Sequence, residues 1–184
     1  MISKEELKKK KEQEERQARI AAEKAARAHG YNLLSMVGAD LCAITKYEYT
    51  PTGIKAGIIG LMRIDGTIVF EPQFTDFSIA DKNMLMLLRK DGKWGVVENS
   101  GKQVTDFKYE DMDGRYNFGR LMVKYGRLYG YIDRKGREII PFQFEKATPF
   151  WKGKAIVRKC EKLFAINIKG EEVKSDTPLS EIHW

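Results

Sequence analysis

The stretch Asp91–Gly101, DGKWGVVENSG, places a tryptophan between two glycines. Asp91-Gly92 is typical of a tight hairpin turn, and the apolar residues around Trp94 are typical of a β-strand. Asn99-Ser100-Gly101 predicts a second turn, because glycine supplies the positive φ that such turns need. The stretch is therefore one strand between two turns. The rest of the chain decides whether Trp94 binds a partner or builds the fold.

The turn glycine that ends this stretch recurs along the chain at spacings of 35, 35 and 34 residues. The four turn glycines are Gly66, Gly101, Gly136 and Gly170. A fixed period of this kind is the signature of a repeat protein, in which each unit buries its apolar face against its neighbours. The sequence therefore predicts one unit of about 35 residues, used nearly four times.

A second slot lies six residues before each turn glycine, and it is also glycine in three units. This slot holds Gly60, Gly95, Gly130 and, in the fourth unit, Phe164. The preceding residue is always large and apolar, and is Ile59, Trp94, Tyr129 or Leu163. A glycine inside a strand usually marks a bulge or a close approach. We therefore expect a bulky side chain to pack over the glycine, while the preceding large residue points to the opposite face.

The remaining segments of each unit are predicted to be short strands. In the third unit, Gly119–Lys124, Tyr129–Asp133 and Glu138–Phe142 are aromatic or β-branched runs between glycine-containing turns. This pattern favours antiparallel hairpins over helices. The predicted fold class is an all-β repeat domain of antiparallel hairpins. Its units form an open curved array or a small propeller-like ring, and we expect the open array.

The first thirty residues instead predict one long helix. Ser3 and Glu6 have the spacing of a capping box, and Gly30 is placed to end the helix. Acid–base pairs four residues apart, such as Glu5–Lys9, favour the helix further. Its first half is almost wholly polar and its second half is rich in alanine. We therefore expect the first half to meet solvent or a partner, and the second half to pack closely.

Three interpretations of this helix remain open. It is a solvated charged helix, an arm that anchors the domain to a larger assembly, or a nucleic-acid-binding arm. Six glutamates interleaved with nine basic residues weaken the last interpretation. The predicted domains are the charged helix at 1–30, a β-repeat domain of about four units at 31–176, and a C-terminal tail at 177–184. The tail either covers the edge of the last unit or binds a partner.

The repeat units resemble the WG-repeat (KWG) family. Gly92–Gly101 matches the family's pattern of turn glycine, Trp-Gly, apolar pair and second turn glycine, and Tyr129–Phe142 matches it as well. Pro149–Val157 fits the aromatic–Gly–Ala–Val segment that links units in this family. The resemblance extends over residues 41–174 and is weaker at both ends. It implies a β-repeat interaction scaffold from a bacterium or phage, with no catalytic residues.

Positive charge is concentrated in one stretch, residues 114–137, where the only acid is Asp133. Its candidate binding residues are Arg115, Arg120, Lys124, Arg127, Arg134, Lys135 and Arg137. Five aromatic residues are interleaved with them, and bases among aromatics on a sheet can hold phosphates and stack nucleobases. The stretch is interpreted as ordinary solvated turns, as a face for an acidic protein, or as a nucleic-acid surface.

No catalytic, metal-binding or cofactor-binding residues are predicted. His29 and His183 have no neighbouring ligand at metal spacing, and no phosphate-binding or nucleophile motif is present. Acidic or amide residues recur just before the turn glycines, as Asp65, Asn99 and Asp133 do, which indicates turn capping. A side chain repeated in every unit is a poor candidate for catalysis, because acid–base pairs need unlike environments.

Composition limits the cellular setting. The chain of 184 residues has a net charge of +7, no apolar run long enough to span a membrane and no apolar signal segment at its start. We expect a cytoplasmic protein, or one carried by a particle assembled in the cytoplasm. Cys42 and Cys160 are expected to be buried free thiols.

These features favour a non-enzymatic protein-interaction or scaffold module, tethered to a larger complex through its N-terminal helix. The alternative is a nucleic-acid-associated protein that uses residues 114–137.

Overall fold

The computed structural model describes residues 3–38, 40–51, 53–80, 85–176 and 178. One helix, α1 (Lys4–Ala28), precedes the strands. The strands are β1 (Asn32–Met36), β2 (Leu41–Thr50), β3 (Gly53–Arg63), β4 (Ile68–Phe74), β5 (Asp76–Ile79), β6 (Leu85–Lys90), β7 (Lys93–Glu98), β8 (Asp111–Asn117), β9 (Arg120–Tyr125), β10 (Leu128–Ile132), β11 (Glu138–Phe144), β12 (Lys146–Ala147), β13 (Lys154–Lys159), β14 (Lys162–Asn167) and β15 (Glu172–Val173). The predicted fold class, a long helix followed by an all-β repeat domain of antiparallel hairpins, is confirmed.

The strands form four open sheets, each made of strands that are consecutive in the chain. Sheet A contains β1–β4, sheet B contains β5–β7, sheet C contains β8–β11 and sheet D contains β12–β15. The chain divides into two compact units, Met1–Asp76 with α1 and sheet A, and Phe77–Trp184 with sheets B, C and D. The predicted domain boundaries at residues 30 and 176 stay predictions. The two interpretations of the C-terminal tail depend on its apolar residues Leu179, Ile182 and Trp184, which lie outside the described residues.

The ends of α1 follow the predicted capping pattern. The Glu6 amide donates to Ser3 Oγ at 3.2 Å, and the Ser3 amide donates to the Glu6 carboxylate at 2.8 Å. Gly30, with a φ of 75°, follows the last turn. Glu5 pairs with Lys9 as predicted, at 3.0 Å, whereas further pairs along the helix are base-first, as in Lys10–Glu14. The Glu6 carboxylate accepts the capping hydrogen bond from the Ser3 amide, so Lys10 pairs with Glu14 instead.

A bulge faces the glycine slot in the first three repeats. In sheet C, Tyr129 pairs with Phe144 but Tyr131 pairs with Ile140, so the β11 side contains two extra residues. The same shift occurs between β3 and β4 in sheet A. In sheet B, the Val96 carbonyl accepts from both the Val104 and Thr105 amides, at 2.8 and 3.2 Å. The bulge brings the next segment of chain directly over the glycine.

In all three of these repeats, the chain segment that follows the slot glycine passes close to it. A β-carbon on Gly95 would lie 2.8 Å from the Phe107 ring. At Gly60 it would lie 2.6 Å from the Phe70 carbonyl oxygen. At Gly130 it would lie 2.8 Å from both the Phe142 ring and the Ile140 carbonyl oxygen. The expected bulky side chain lies over Gly95 and Gly130, whereas at Gly60 the nearest atom belongs to the backbone.

Sheet C is buried on both faces by the sheets beside it. Leu121 and Val123 pack in one cluster with Leu87 and Val96 of sheet B. Met122, from the opposite face of β9, packs in a second cluster with residues of sheet D, including Val157 and Ile166. Alternate side chains of a strand point to opposite faces, so one six-residue strand serves both clusters. Within residues 77–184 the repeats therefore stack, as expected.

The end of α1 covers sheet A. Ala22 and Ala26 are fully buried against Cys42, Ile44 and Met62. Alanine permits this close approach, because a larger side chain would hold the helix away from the sheet. The alanine-rich half of the helix packs as predicted, and residues 3–17 are exposed.

The helix takes a place that a preceding repeat takes elsewhere. Gly136, the turn glycine of sheet C, lies against Val104 and Thr105 of the repeat before it. Gly170 in sheet D lies likewise against Ile140 of sheet C. The equivalent glycine of sheet A, Gly66, instead lies near Ala25 and His29. The helix thus covers sheet A at the position where the preceding repeat covers sheets C and D.

The two cysteines differ in environment. Cys42 is buried, its thiol donates to the Met62 carbonyl at 3.0 Å, and burial raises its pKa to about 11. Cys160 is exposed, so the prediction of a buried thiol was wrong there. It lies in the two-residue turn between β13 and β14, with a φ of 48°.

Candidate interaction surface

The predicted basic stretch is divided between the two ends of sheet C. Successive antiparallel strands reverse direction, so the β8–β9 and β10–β11 turns lie at one end and the β9–β10 turn lies at the other. We name these the Phe118 end and the Tyr125 end. β9, with six residues, separates them by about 20 Å at about 3.3 Å per residue.

Five of the seven candidate residues lie at or near the Phe118 end. These are Arg115, Arg120, Arg134, Lys135 and Arg137. Lys124 and Arg127 lie at the Tyr125 end. The structure therefore brings together only part of the set that the sequence grouped as one stretch.

Several of these bases are engaged within the sheet itself. Arg137 pairs with Asp133 at 2.6 Å, and Arg115 pairs with Asp113 at 3.2 Å. The Lys124 ammonium lies 5.3 Å from the centre of the Tyr129 ring, and the Arg134 guanidinium lies 5.7 Å from the centre of the Tyr116 ring. Cation–π contacts of this kind hold the charged group against an aromatic ring of the same sheet. The basic character of the stretch is thus partly structural.

Asp133 has the turn-capping role predicted for it. Its carboxylate accepts from the Lys135 amide at 2.8 Å and from the Arg137 amide at 2.9 Å. Partial burial raises the pKa of Asp133, but the hydrogen bonds from Arg137 and Lys135 outweigh burial, and the pKa is lower than usual. Asp65 caps its own turn similarly, by accepting from the Thr67 amide at 2.8 Å, and this hydrogen bond lowers its pKa.

Arg120 has a different role, because it ties sheet C to sheet D. Its Nε donates to the Ile168 carbonyl at 2.9 Å, in the turn between β14 and β15. Its Nη1 donates to the Phe118 carbonyl at 3.2 Å, in the turn between β8 and β9. One guanidinium therefore holds two turns side by side. The planar fork of arginine suits such bonding, since its donors have fixed directions.

Three exposed apolar side chains lie on these turns and the neighbouring hairpin. Phe118 is 54% exposed, Ile168 is 40% exposed and Trp151 is 71% exposed. Trp151 bridges to Lys154, and Lys154 pairs with Asn167 beside Ile168. We name Phe118, Trp151 and Ile168 the aromatic rim. Exposed lysines, Lys135, Lys152 and Lys169, lie on the turns at this end.

This surface is only partly recognisable in the sequence. Phe118 is one of the five aromatic residues of the basic stretch, and Trp151 belongs to the segment Pro149–Val157 that resembles the WG family, but the sequence predicts neither as a binding residue. Ile168 was missed. The available signal was the placement of large apolar residues in or beside glycine-containing turns, at Phe118-Gly119 and Trp151-Lys152-Gly153. Apolar residues in such turns have little access to a core.

Trp94, by contrast, is half-buried and packs against the cluster shared by sheets B and C. The Arg89 guanidinium lies 5.9 Å from the centre of its ring. Tyr129 occupies the same slot one repeat later and packs against the cluster shared by sheets C and D. Bulk and apolarity therefore define this slot, and the indole of Trp94 serves the fold.

A second surface lies along α1. An open groove of about 960 Å³ runs between helix residues 11–19 and the chain that follows β1. Its walls include Lys11, Glu15 and Arg19 on the helix, with Met36 and Val37 opposite. The charged first half of the helix thus adjoins an apolar floor.

No helix in the described residues has both the length and the apolarity needed to cross a membrane. Within the same residues, no group of three His, Cys, Asp or Glu side chains is arranged to hold a metal ion.

Two adjacent stretches, residues 94–127 and 129–162, match the family model of the WG containing repeat. Residues 94–162 thus contain two stretches that match WG repeats. Comparison with curated proteins and with solved structures gave no match. The resemblance inferred from the Trp-Gly and Tyr-Gly motifs is confirmed for the two central repeats.

Each WG repeat spans parts of two sheets. The first matched repeat begins at Trp94 in β7 and continues through β8 and β9. The second begins at Tyr129 in β10 and continues through β11, β12 and β13. Sheet C therefore takes β8 and β9 from one WG repeat and β10 and β11 from the next. Backbone hydrogen bonds between β9 and β10 join neighbouring repeats.

Proposed function

We propose that this protein is a non-enzymatic protein-interaction module, tethered to a larger assembly through the first half of α1. Its setting is the cytoplasm or a particle assembled there. The observation that carries the proposal is the division of the helix. Residues 3–17 are exposed, whereas Ala22 and Ala26 are fully buried on sheet A. A rigidly docked helix thus presents a charged half that its own domain does not cover.

The exposed half is built to persist as a helix in water. Its capping box satisfies amides of the first turn, and ion pairs such as Glu5–Lys9 and Lys11–Glu15 line its surface. Each exposed pair contributes only about 0.2–0.5 kcal/mol, so the buried alanines contribute the anchoring. The groove beside residues 11–19 supplies an apolar surface against which a partner can pack.

Shifted pKa values in the described residues accompany structural roles, which favours the non-enzymatic interpretation. A hydrogen bond from Lys93 at 2.6 Å lowers the pKa of Glu110 and joins β7 to the segment before β8. Burial raises the pKa of Tyr109 to about 12, and its ring lies in the core of sheets B and C. Catalytic groups instead converge on a cleft with perturbed pKa values.

The alternative, a nucleic-acid-associated protein, requires the bases of residues 114–137 to act as one surface. Their separation by about 20 Å at two ends of sheet C gives this alternative less support. The pairing of Arg115 and Arg137 with carboxylates reduces it further, because a phosphate would have to displace Asp113 or Asp133.

A truncation tests the tether. A tagged variant that begins at Arg16 retains the buried Ala22 and Ala26, so sheet A stays covered. Native mass measurement on both proteins, isolated from the cells that produce them, should show a larger complex with the full chain and its loss in the variant. A variant with Ile79→Ser, at an exposed apolar residue of β5, serves as the control that leaves the helix intact. Equal complexes with and without residues 1–15 would exclude the tether.

A further inference from the structure

We propose that the aromatic rim is a docking surface for an acidic protein segment, one with an apolar side chain flanked by carboxylates. The rim consists of Phe118, Trp151 and Ile168, on sheets C and D. The proposal rests on the interaction role proposed above, but on a surface separate from α1.

The rim is held in shape before any partner arrives. Arg120 donates to carbonyls of both the Phe118 turn and the Ile168 turn. Trp151 precedes a tight turn in which Lys152 and Gly153 both have positive φ, at 49° and 80°. That combination is the type I′ hairpin turn, whose twist matches the strands that it joins. A preformed surface loses little conformational entropy on binding, which favours affinity.

The side chains of the rim are of the types that contribute most to binding. Trp151 is 71% exposed, and tryptophan is among the residues most enriched at binding hot spots. Single exposed apolar residues are ordinary on protein surfaces. Here three lie on neighbouring turns, and Arg120 holds the turns of Phe118 and Ile168 side by side, so one partner segment can contact more than one of them.

The surrounding charge indicates an acidic partner. Within the described part of the chain, no ion pair joins Lys135, Lys152 or Lys169 to a carboxylate. The nearby acids Asp113 and Asp133 are mostly buried and pair with arginines. Asp176 pairs with Lys154 at 2.7 Å, and the exposed Glu171 accepts a hydrogen bond from the Asn167 amide group at 2.8 Å. The three exposed lysines therefore leave an excess of positive charge on these turns. Positive charge around an apolar centre selects carboxylates at the edge of the interface and speeds encounter with an acidic partner.

Protein is favoured over nucleic acid by the same geometry. Ile168 offers no ring for a base to stack on, and Nε and Nη1 of Arg120 already donate to main-chain carbonyls. Binding to a single strand needs a positive groove lined with successive aromatic rings. The rim instead offers two separated aromatic side chains and an aliphatic one, which suits an apolar side chain of a peptide.

A displayed library of random twelve-residue peptides tests the proposal on the full chain. Selected peptides should contain a leucine or aromatic residue between aspartates or glutamates. Their binding should fall at least tenfold in Phe118→Ser/Trp151→Ser and at least fivefold in Lys152→Glu/Lys169→Glu. Leu34→Ser, which alters an exposed apolar residue of sheet A, is the matched control and should bind as the unaltered chain does. Unfolding temperatures within a few degrees of one another show that the variants fold.

The other outcomes overturn the proposal. Selected peptides that are basic or neutral would do so, as would acidic peptides that bind both rim variants unchanged. A twelve-nucleotide single-stranded RNA whose binding depends on the rim, with no such dependence for peptides, would assign the surface to nucleic acid. Peptides that bind both rim variants but do not bind the chain that begins at Arg16 would refute the rim as the docking surface. The same result would support the tether.

Discussion

Phe142 crosses Gly130 so closely that a β-carbon on this glycine would lie 2.8 Å from the ring and 3.0 Å from the Phe142 amide nitrogen. The Ile140 carbonyl oxygen would lie as near, at 2.8 Å. Two of these atoms belong to the backbone, which cannot move aside as a side chain can. The second glycine of the repeat is therefore required by the bulge that passes over it.

We expect Gly130→Ala to destabilise the protein by about 1–3 kcal/mol, because the added methyl group overpacks the bulge. Gly114→Ala is the control, since the nearest atom to its added β-carbon is the side-chain Oγ of Ser78, at 3.0 Å. Urea unfolding of both variants measures the free energies. Equal losses in the two would show that the bulge tolerates a side chain.

Phe164 occupies the glycine slot of the fourth repeat, and here we expect the opposite result. β15 has only two residues and no bulge passes over Phe164 in the described residues, so the ring packs towards Phe144 at 6.4 Å. Phe164→Gly should lower the free energy of unfolding by about 2–4 kcal/mol, through lost apolar burial and greater freedom of the unfolded chain. The same urea measurement tests it, and a stabilised variant would contradict it.

The docking of α1 depends on alanine at two positions. Ala26→Leu should destabilise the protein by about 1–3 kcal/mol, because the larger side chain meets Cys42, Ile44 and Met62 without space to fill. Ala21→Leu lies on the exposed side of the same helix and should change stability by less than about 0.5 kcal/mol. Hydrogen exchange should show faster exchange at helix amides only in the first variant.

Asp133 should make the stability depend on pH. Its pKa is lower in the folded protein than its usual value of 3.8, so its stabilising effect is complete at neutral pH. This stabilisation is lost as the pH falls below about 4 and passes the pKa that Asp133 has in the folded protein. The reason is that the carboxylate binds a proton more readily in the unfolded chain.

Asp133→Asn should therefore cost about 1–3 kcal/mol at pH 7, and the difference from the unaltered protein should shrink below pH 4. Thermal unfolding from pH 7 to pH 3 measures it. Asp106→Asn, at an exposed carboxylate, serves as the control. A difference that stays constant across this range would show that the charge of Asp133 does not stabilise the turn.

The features that could be predicted from sequence are those set by local geometry. The capping box at Ser3 and the turn capping by Asp133 depend on residues a few positions apart. The repeat period and the slot of Gly130 follow from one unit used several times, because equivalent positions face equivalent neighbours. The identity of that neighbour, Phe142, required the structure, since a bulge shifts the register between β10 and β11.

The sequence by itself thus determined a capped helix, a repeat of antiparallel hairpins and a glycine that needs a close neighbour. Only the tertiary structure decided that α1 caps sheet A near Gly66 and that the basic stretch divides between two ends of sheet C. It also decided that the turns of Trp151 and Ile168 lie at the same end of sheet D. The reason is physical. Turn and cap preferences act over a few residues, whereas strand direction and sheet stacking bring together residues that no local pattern relates.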